Sequence, residues 1–297
     1  MSKRSKAKPQ QPATSPLTPD DLAMFAKLKV PVGLLNGAGI RRVTDEQARA
    51  HGIGNTPERA AQNMAGILFP YSDSATGDIV TLRLRRDHPE MKDGKPKDKY
   101  LCPTGGARSL FIHPGAAAKL KNFDVPIVLV KAEKSALALS ALAERTGNEL
   151  IPIAMGGCWG WSQDKKAIPA LLELCKGHPV YILLDANAAT NPDVKAAQSA
   201  LAAELSTRAY ACPEVLIASM PQLEGVNGPD DLIAQNDGEN LLLKVLEDAK
   251  PADPAGEFSD DALALEFTKQ NGENLRYVNA WAGGSHGTAP AGSMTTL

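Results

Sequence analysis

Four short apolar runs, each followed by a stretch of helical periodicity, govern what residues 125–250 can fold into. "VPIVLV", "IPIAM", "PVYILL" and "EVLIASM" are too short for helices and too continuously apolar for strands with one wet face. Between and after them lie "AEKSALALSALAERTG", "KKAIPALLELCKG", "NPDVKAAQSALAAELSTRA", "GPDDLIAQN" and "ENLLLKVLEDA". Strands of this kind alternating with helices predict a parallel sheet covered on both faces. Ligands of such sheets sit at the C-terminal ends of the strands. Lys131, Gly156-Gly157, Asp185 and Asn187 all fall at that edge.

Upstream the periodicity is different. "TPDDLAMFAKLKV" predicts a helix capped at Thr18 or Asp20, and "VTDEQARAHGI" a second one closed by Gly52. "GILFPYSDSATGDIVTLRLRRDHPE" alternates around a Gly-Asp turn and predicts strands. Four units follow: a basic, Pro-rich tail over 1–19, expected to be disordered; a smaller α+β subdomain over 20–120; the α/β sheet over 121–250; and a linker with a further segment over 251–297. In the last, "FSDDALALEFTKQNGENLRYVNAW" predicts one helix and a strand.

No apolar run approaches the roughly 20 residues that span a bilayer, so no membrane partner is expected and a cytoplasmic location is. The formal net charge of −2 excludes a protein that coats nucleic acid by bulk charge, so any such contact needs a local patch. The cysteines at 102, 158, 175 and 212 form no C-x-x-C pair, which argues against a zinc ribbon. Scattered thiols suit a reducing compartment. No G-x-x-x-x-G-K-[ST] loop occurs.

The order "VPIVLVKAEKSALALSAL … IAMGGCWGW … YILLDANAATNPDVKAAQSALAAEL … GVNGPDDLIAQNDG" resembles the Toprim domain of phage- and plasmid-borne primase proteins, and more distantly DnaG-type primases. The upstream "GDIVTLRLRRDHPE…GKPKDKYLCPTG…LFIHPG" resembles the segment that forms a basic cradle for template and nucleotide there. The resemblance covers about residues 60–240 and implies a Toprim-type fold, DNA replication, and a protein of a mobile element. Single-stranded DNA and nucleotides are the implied partners, with a separately encoded replicative helicase. The C-terminal stretch is similar to the start of a helicase-linked region, so a truncated product keeping the primase-like part is expected.

In that family the first strand ends in Glu-Gly and the third carries Asp-X-Asp, carboxylates that bind Mg2+ or Mn2+ for nucleotidyl transfer. Here Lys131 and Ala132 stand at the Glu-Gly positions. Asp185 matches the first Asp, Asn187 stands at the second, and Glu133 matches a further family glutamate. The resemblance implies Glu133 and Asp185 as catalytic groups and Asp185, Asn187, Asp230 and Asp231 as metal ligands. It implies Arg83, Arg85, Lys97, Lys99 and Lys131 as contacts to nucleic acid or nucleotide.

The family trio carries about three negative charges, whereas Lys131, Asp185 and Asn187 sum to zero. Each unit charge is worth about 4 kcal/mol to a monovalent ion at 4 Å and an effective dielectric of 20. The metal site is therefore expected to be weak or absent. Two readings stand: a primase-type nucleotidyltransferase, or a degenerate Toprim module that binds nucleic acid or a replication partner without chemistry.

Residue type alone gives plainer readings of the same positions. Asp185 and Asn187 suit a strand-end turn, and Glu133 suits the first turn of a helix. Asp230-Asp231 follows Pro229 as helix-start residues. Trp159 and Trp161 read as packed aromatics ahead of base-stacking platforms. "LLDANAAT" loosely echoes the Asp-X-Asp-X-Thr nucleophile of haloacid-dehalogenase phosphatases, but is one residue too long and lacks the second Asp.

Overall fold

A computed structural model describes residues 16–164 and 166–252, all within one unit spanning residues 1–254. The first 15 residues of the basic tail and the expected C-terminal helix and strand lie outside the described residues.

The chain opens with α1 (Pro19–Lys27), α2 (Val32–Gly37), β1 (Arg41–Val43) and α3 (Asp45–Ala50). Thr18 and Thr44 each close a reciprocal capping box, with Asp21 and Gln47 respectively. Such boxes satisfy two orphan N–H groups at once, which fixes both helix starts. Then come β2 (Gly66–Ser72), β3 (Ile79–Arg86), the exposed hairpin β4 (Met91–Lys92) and β5 (Lys95–Pro96), and β6 (Tyr100–Leu101). Strands β1, β2, β3 and β6 form an antiparallel sheet in that order.

The second half begins with β7 (Phe111–Ile112), α4 (Pro114–Ala117), β8 (Ile127–Val130), α5 (Glu133–Thr146) and β9 (Ile151–Ala154). It continues through β10 (Ser162–Gln163), β11 (Lys166–Ala167), α6 (Pro169–Cys175), β12 (Val180–Leu183), α7 (Pro192–Leu205) and β13 (Val215–Ala218). It closes with α8 (Pro229–Ala234), α9 (Gly238–Glu247) and β14 (Lys250–Pro251).

The large sheet runs β14-β13-β12-β8-β9-β7. Its four central strands are parallel, and the two-residue edge strands β7 and β14 are antiparallel to their neighbours. The mixed α/β class expected from the apolar runs holds. The antiparallel edges were not anticipated, and Lys250–Pro251, at the boundary expected to open a linker, pairs with β13. The expected helix "KKAIPALLELCKG" starts late, at Pro169, after an extended Ile168. Proline pushes the preceding residue out of helical angles, and the upstream Lys166–Ala167 pairs with β10 instead.

Side chains of the central strands alternate between two cores. Val128, Val130 and Leu183 meet α5, α8 and α9 together with Ile67, Phe69 and Tyr71 of β2. Ile127, Leu129, Ile151, Ile153 and Ile182 meet α6 and α7. The small sheet thus lies over the same face of the large sheet as α5. Its far side packs Leu68, Leu82 and Leu84 on Val43, Ala48 and Ile53. Because β3 alternates, Arg83 and Arg85 share the face of Phe69 and Ile67, their cross-strand partners, which looks toward α5. Tyr100, opposite Arg85, shares it too.

Candidate functional site

Strand β8 enters the large sheet centrally, β9 joins one side and β12 the other. The crevice where the strand order reverses lies beyond the ends of β8 and β12. Lys131 follows β8 directly and Asp185 lies two residues past β12, so the topology delivers both to that crevice. There they form an ion pair, with Lys131 Nζ 2.5 Å from Asp185 Oδ2. Asn227 Nδ2 donates to the same oxygen at 3.2 Å. Burial pushes the Asp185 carboxyl above the usual carboxylate range, outweighing the lowering by Lys131, and the Asp230 charge adds to the rise. Lys131→Met is therefore expected to raise the Asp185 pKa further, read by carbonyl-carbon NMR titration; a fall would contradict this pairing.

Glu133, the first residue of α5, is only 1% exposed. Its Oε1 accepts hydrogen bonds from the Tyr71 hydroxyl at 2.6 Å and from Arg83 Nη1 at 2.8 Å. The Arg83 guanidinium also lies 4.5 Å from the centroid of the Tyr100 ring. Burial, then the Glu133 charge, pushes the Tyr71 phenol well above its ordinary value and that of Tyr100 up to about 12. The other Glu133 oxygen, Oε2, is buried without a partner among the described residues.

Asp230, in the first turn of α8, accepts from Ser135 Oγ at 2.5 Å and pairs with Lys134 Nζ at 3.2 Å. A Cβ on Gly228 would lie 2.9 Å from Asp230 Oδ1 and 3.3 Å from Asp185 Oδ1, which places both carboxylates around that glycine. Gly228→Ala is expected to cost about 1–3 kcal/mol by overpacking, read by urea unfolding; no measurable loss would show that the two carboxylates have room to separate.

The structure therefore sets three acids each against its own cation: Glu133 with Arg83, Asp185 with Lys131, Asp230 with Lys134. The remaining expected ligands, Asp231 and Asn187, take no part in these three pairs. Asp231 turns back to cap α8, its Oδ2 accepting from the backbone of Asn227 and Gly228 at 3.1 Å each. Asn187 lies in the single turn Ala186–Ala189, its Oδ1 buried without a partner among the described residues. Among the described residues no group of three or more His, Cys, Asp or Glu side chains is arranged to hold a metal. Mg2+ is held by one or two carboxylates together with waters and substrate phosphates, so its site needs a carboxylate that no other cation holds. With each acid neutralised by its own cation, the residues in this arrangement do not fit one.

Of the expected basic contacts, Arg83 is occupied by Glu133. Arg85 and Lys99 are brought together with Lys134. Burial, then Arg85, then Lys134 holds the Lys99 ammonium below its ordinary value. Neither Arg85 nor Lys99 has an ion-pair partner among the described residues. Lys97 is exposed beyond the β4–β5 hairpin, its backbone N–H donating to Glu90, and no contact among the described residues links it to the others. Arg86 points to the opposite face of β3, buried against Glu90.

Sequence reasoning missed Tyr71, Lys134, Ser135 and Asn227. For Lys134 and Ser135 a signal existed, since they sit beside Glu133 in the turn that opens α5. Tyr71 had none, because its link to Glu133 spans 62 positions.

With this geometry in view, the likeness to solved structures is informative. The zinc-binding and RNA polymerase domains of Aquifex aeolicus primase align over 87% of this chain and 60% of that one, at 14% identity and a TM-score of 0.55. A DnaG catalytic core aligns over 83% and 81%, at 15% identity and 0.53. The fold is primase-like. A DnaG primase catalytic domain bound to single-stranded DNA aligns over 84% of this chain and 75% of that one, at 14% identity and 0.51. No family model matches the chain, and no curated protein matches it in sequence. Among the described residues no helix is long and apolar enough to cross a membrane.

Proposed function

We propose that this chain binds single-stranded DNA along the rim of its primase-like fold through Arg85 and Lys99, without metal-dependent chemistry. The carrying observation is that Arg85 and Lys99 act on one another and neither has an ion-pair partner among the described residues; burial first, and then Arg85, holds the Lys99 ammonium below its ordinary value. Uncompensated like charges of this kind are relieved by a polyanion. The single-stranded DNA held by the DnaG catalytic domain of similar fold supports the same ligand. The three closed acid–cation pairs support the absence of phosphoryl transfer.

A second reading, primer synthesis from nucleotides with Mg2+ or Mn2+, is favoured by the partnerless acceptors Glu133 Oε2 and Asn187 Oδ1. Buried acceptors without donors are costly, and a bound cation is one remedy. This reading needs Lys131 to leave Asp185.

The test is fluorescence anisotropy with a labelled oligothymidylate across a salt series, with chelator and with Mg2+. Binding indifferent to chelator is expected. The slope of log K against log salt should become shallower by about 1.4 in Arg85→Ala/Lys99→Ala, since each single-strand phosphate contact contributes about 0.7. No binding at low salt would overturn the proposal. Primer products that vanish in Asp185→Ala would establish the second reading.

A further inference from the structure

A cleft of about 520 Å3 opens beside the Glu133 network, between the face of β3 that carries Arg83 and the loop after β9. Its lining combines aromatic, cationic and polar groups that the pairs described above leave unused. Trp159 is 43% exposed at the mouth and lies near-parallel to Trp161 at 6.0 Å between ring centroids, with 26° between planes. Trp161 is buried, so it backs Trp159 while leaving part of that indole open to a ligand. Arg108 is held nearby by the Ser162 carbonyl at 2.6 Å. The Thr81 hydroxyl, in a residue 8% exposed, has no hydrogen-bond partner among the described residues, although Thr81 lines the cleft. Gly156 keeps the floor open: at φ +73°, a Cβ there would come within 2.9 Å of Arg83 Nη1 and 3.1 Å of the Tyr71 hydroxyl.

A flat ring with a polar edge and an attached phosphate answers all of these features. Its face stacks on indole, its edge meets a hydroxyl, and its phosphate meets a guanidinium. We infer that this cleft is a nucleobase subsite, in which Trp159 stacks an unpaired base, Thr81 bonds its edge and Arg108 holds the adjoining phosphate. The ligand is a base of a single strand or of a free nucleotide. The strand form rests on the function proposed above, and the pocket itself does not.

The test compares wild type, Trp159→Ala, Trp159→Phe and Thr81→Val against three probes: a short oligothymidylate, an abasic strand of equal length, and ATP. Removing a stacking platform is expected to weaken oligothymidylate binding by about 5- to 150-fold. Trp159→Phe should restore most of that loss, and the abasic strand should bind wild type and Trp159→Ala alike. ATP that competes with the oligonucleotide in wild type but not in Trp159→Ala would assign the pocket to free nucleotides as well. If only ATP binds, the pocket stands and the single-strand function falls. If oligothymidylate binds wild type and Trp159→Ala equally, and no tighter than the abasic strand, the subsite is overturned while strand binding survives. If neither probe binds, both proposals fail.

Discussion

Replacing Glu133 with alanine is expected to lower the unfolding free energy by about 3–5 kcal/mol, one of the largest single-residue effects this fold offers. The carboxylate is 1% exposed, and its removal leaves the largely buried Arg83 guanidinium without its counter-charge. The Tyr71 hydroxyl loses its acceptor in the same step. Glu133→Gln keeps an acceptor for Tyr71 but not the charge, so an intermediate loss is expected. The paired change Glu133→Ala/Arg83→Met should be milder than the sum of its singles, because removing both partners strands neither. Urea unfolding reads the effect as a lower midpoint at unchanged m. Loss below 1 kcal/mol, or strict additivity of the pair, would show that Arg83 finds water or another partner and that this network does not hold the small sheet to α5.

The distance between partners along the chain explains what the sequence disclosed. Thr18 with Asp21 and Thr44 with Gln47 are local relations three positions apart. The first helix start was expected at Thr18 or Asp20, and the second helix was expected from its periodicity without its N-terminal cap. The central strands were readable because burial on both faces leaves an uninterrupted apolar run. Strands β7 and β14 have two residues each, too few to show a period. At the site, Glu133 and Asp230 were brought to the rim only by the resemblance, whereas Lys131, Asp185 and Asn187 could be placed on it by their positions after strands. Which acid met which cation could not, because the partners lie 50, 54 and 96 positions apart or come from another sheet. The alternation that puts Arg83 and Arg85 on one face was legible, and both were expected to contact nucleic acid or nucleotide. The packing of the small sheet over α5 turns Arg83 inward instead and leaves Arg85 on the rim.

Introducing acids with Lys131→Glu/Asn187→Asp is expected to convert the crevice from an ion pair into a cation site. The two changes take the trio from net zero to three negative charges. At about 4 Å and an effective dielectric of 20, each unit is worth about 4 kcal/mol to a monovalent ion and more to a divalent one. Without metal the variant should be less stable than wild type at neutral pH. Asp185 already sits above the ordinary carboxylate range, chiefly through burial. New like charges in place of the Lys131 ammonium raise it further. A carboxyl raised in the folded state binds more protons there than when unfolded, so its contribution is full at low pH and is lost as pH rises through the raised value. The metal-free variant should therefore gain stability on acidification, opposite to a protein held by well-paired carboxylates. Added Mn2+ should reverse this at neutral pH, by about 2.7 kcal/mol once the ion reaches 100 times its dissociation constant. Thermal unfolding with and without Mn2+, beside calorimetric titration of both proteins, checks the expectation. Equal metal binding by wild type and variant would mean that Lys131 yields Asp185 readily, and that the crevice already serves as the cation site this geometry argues against.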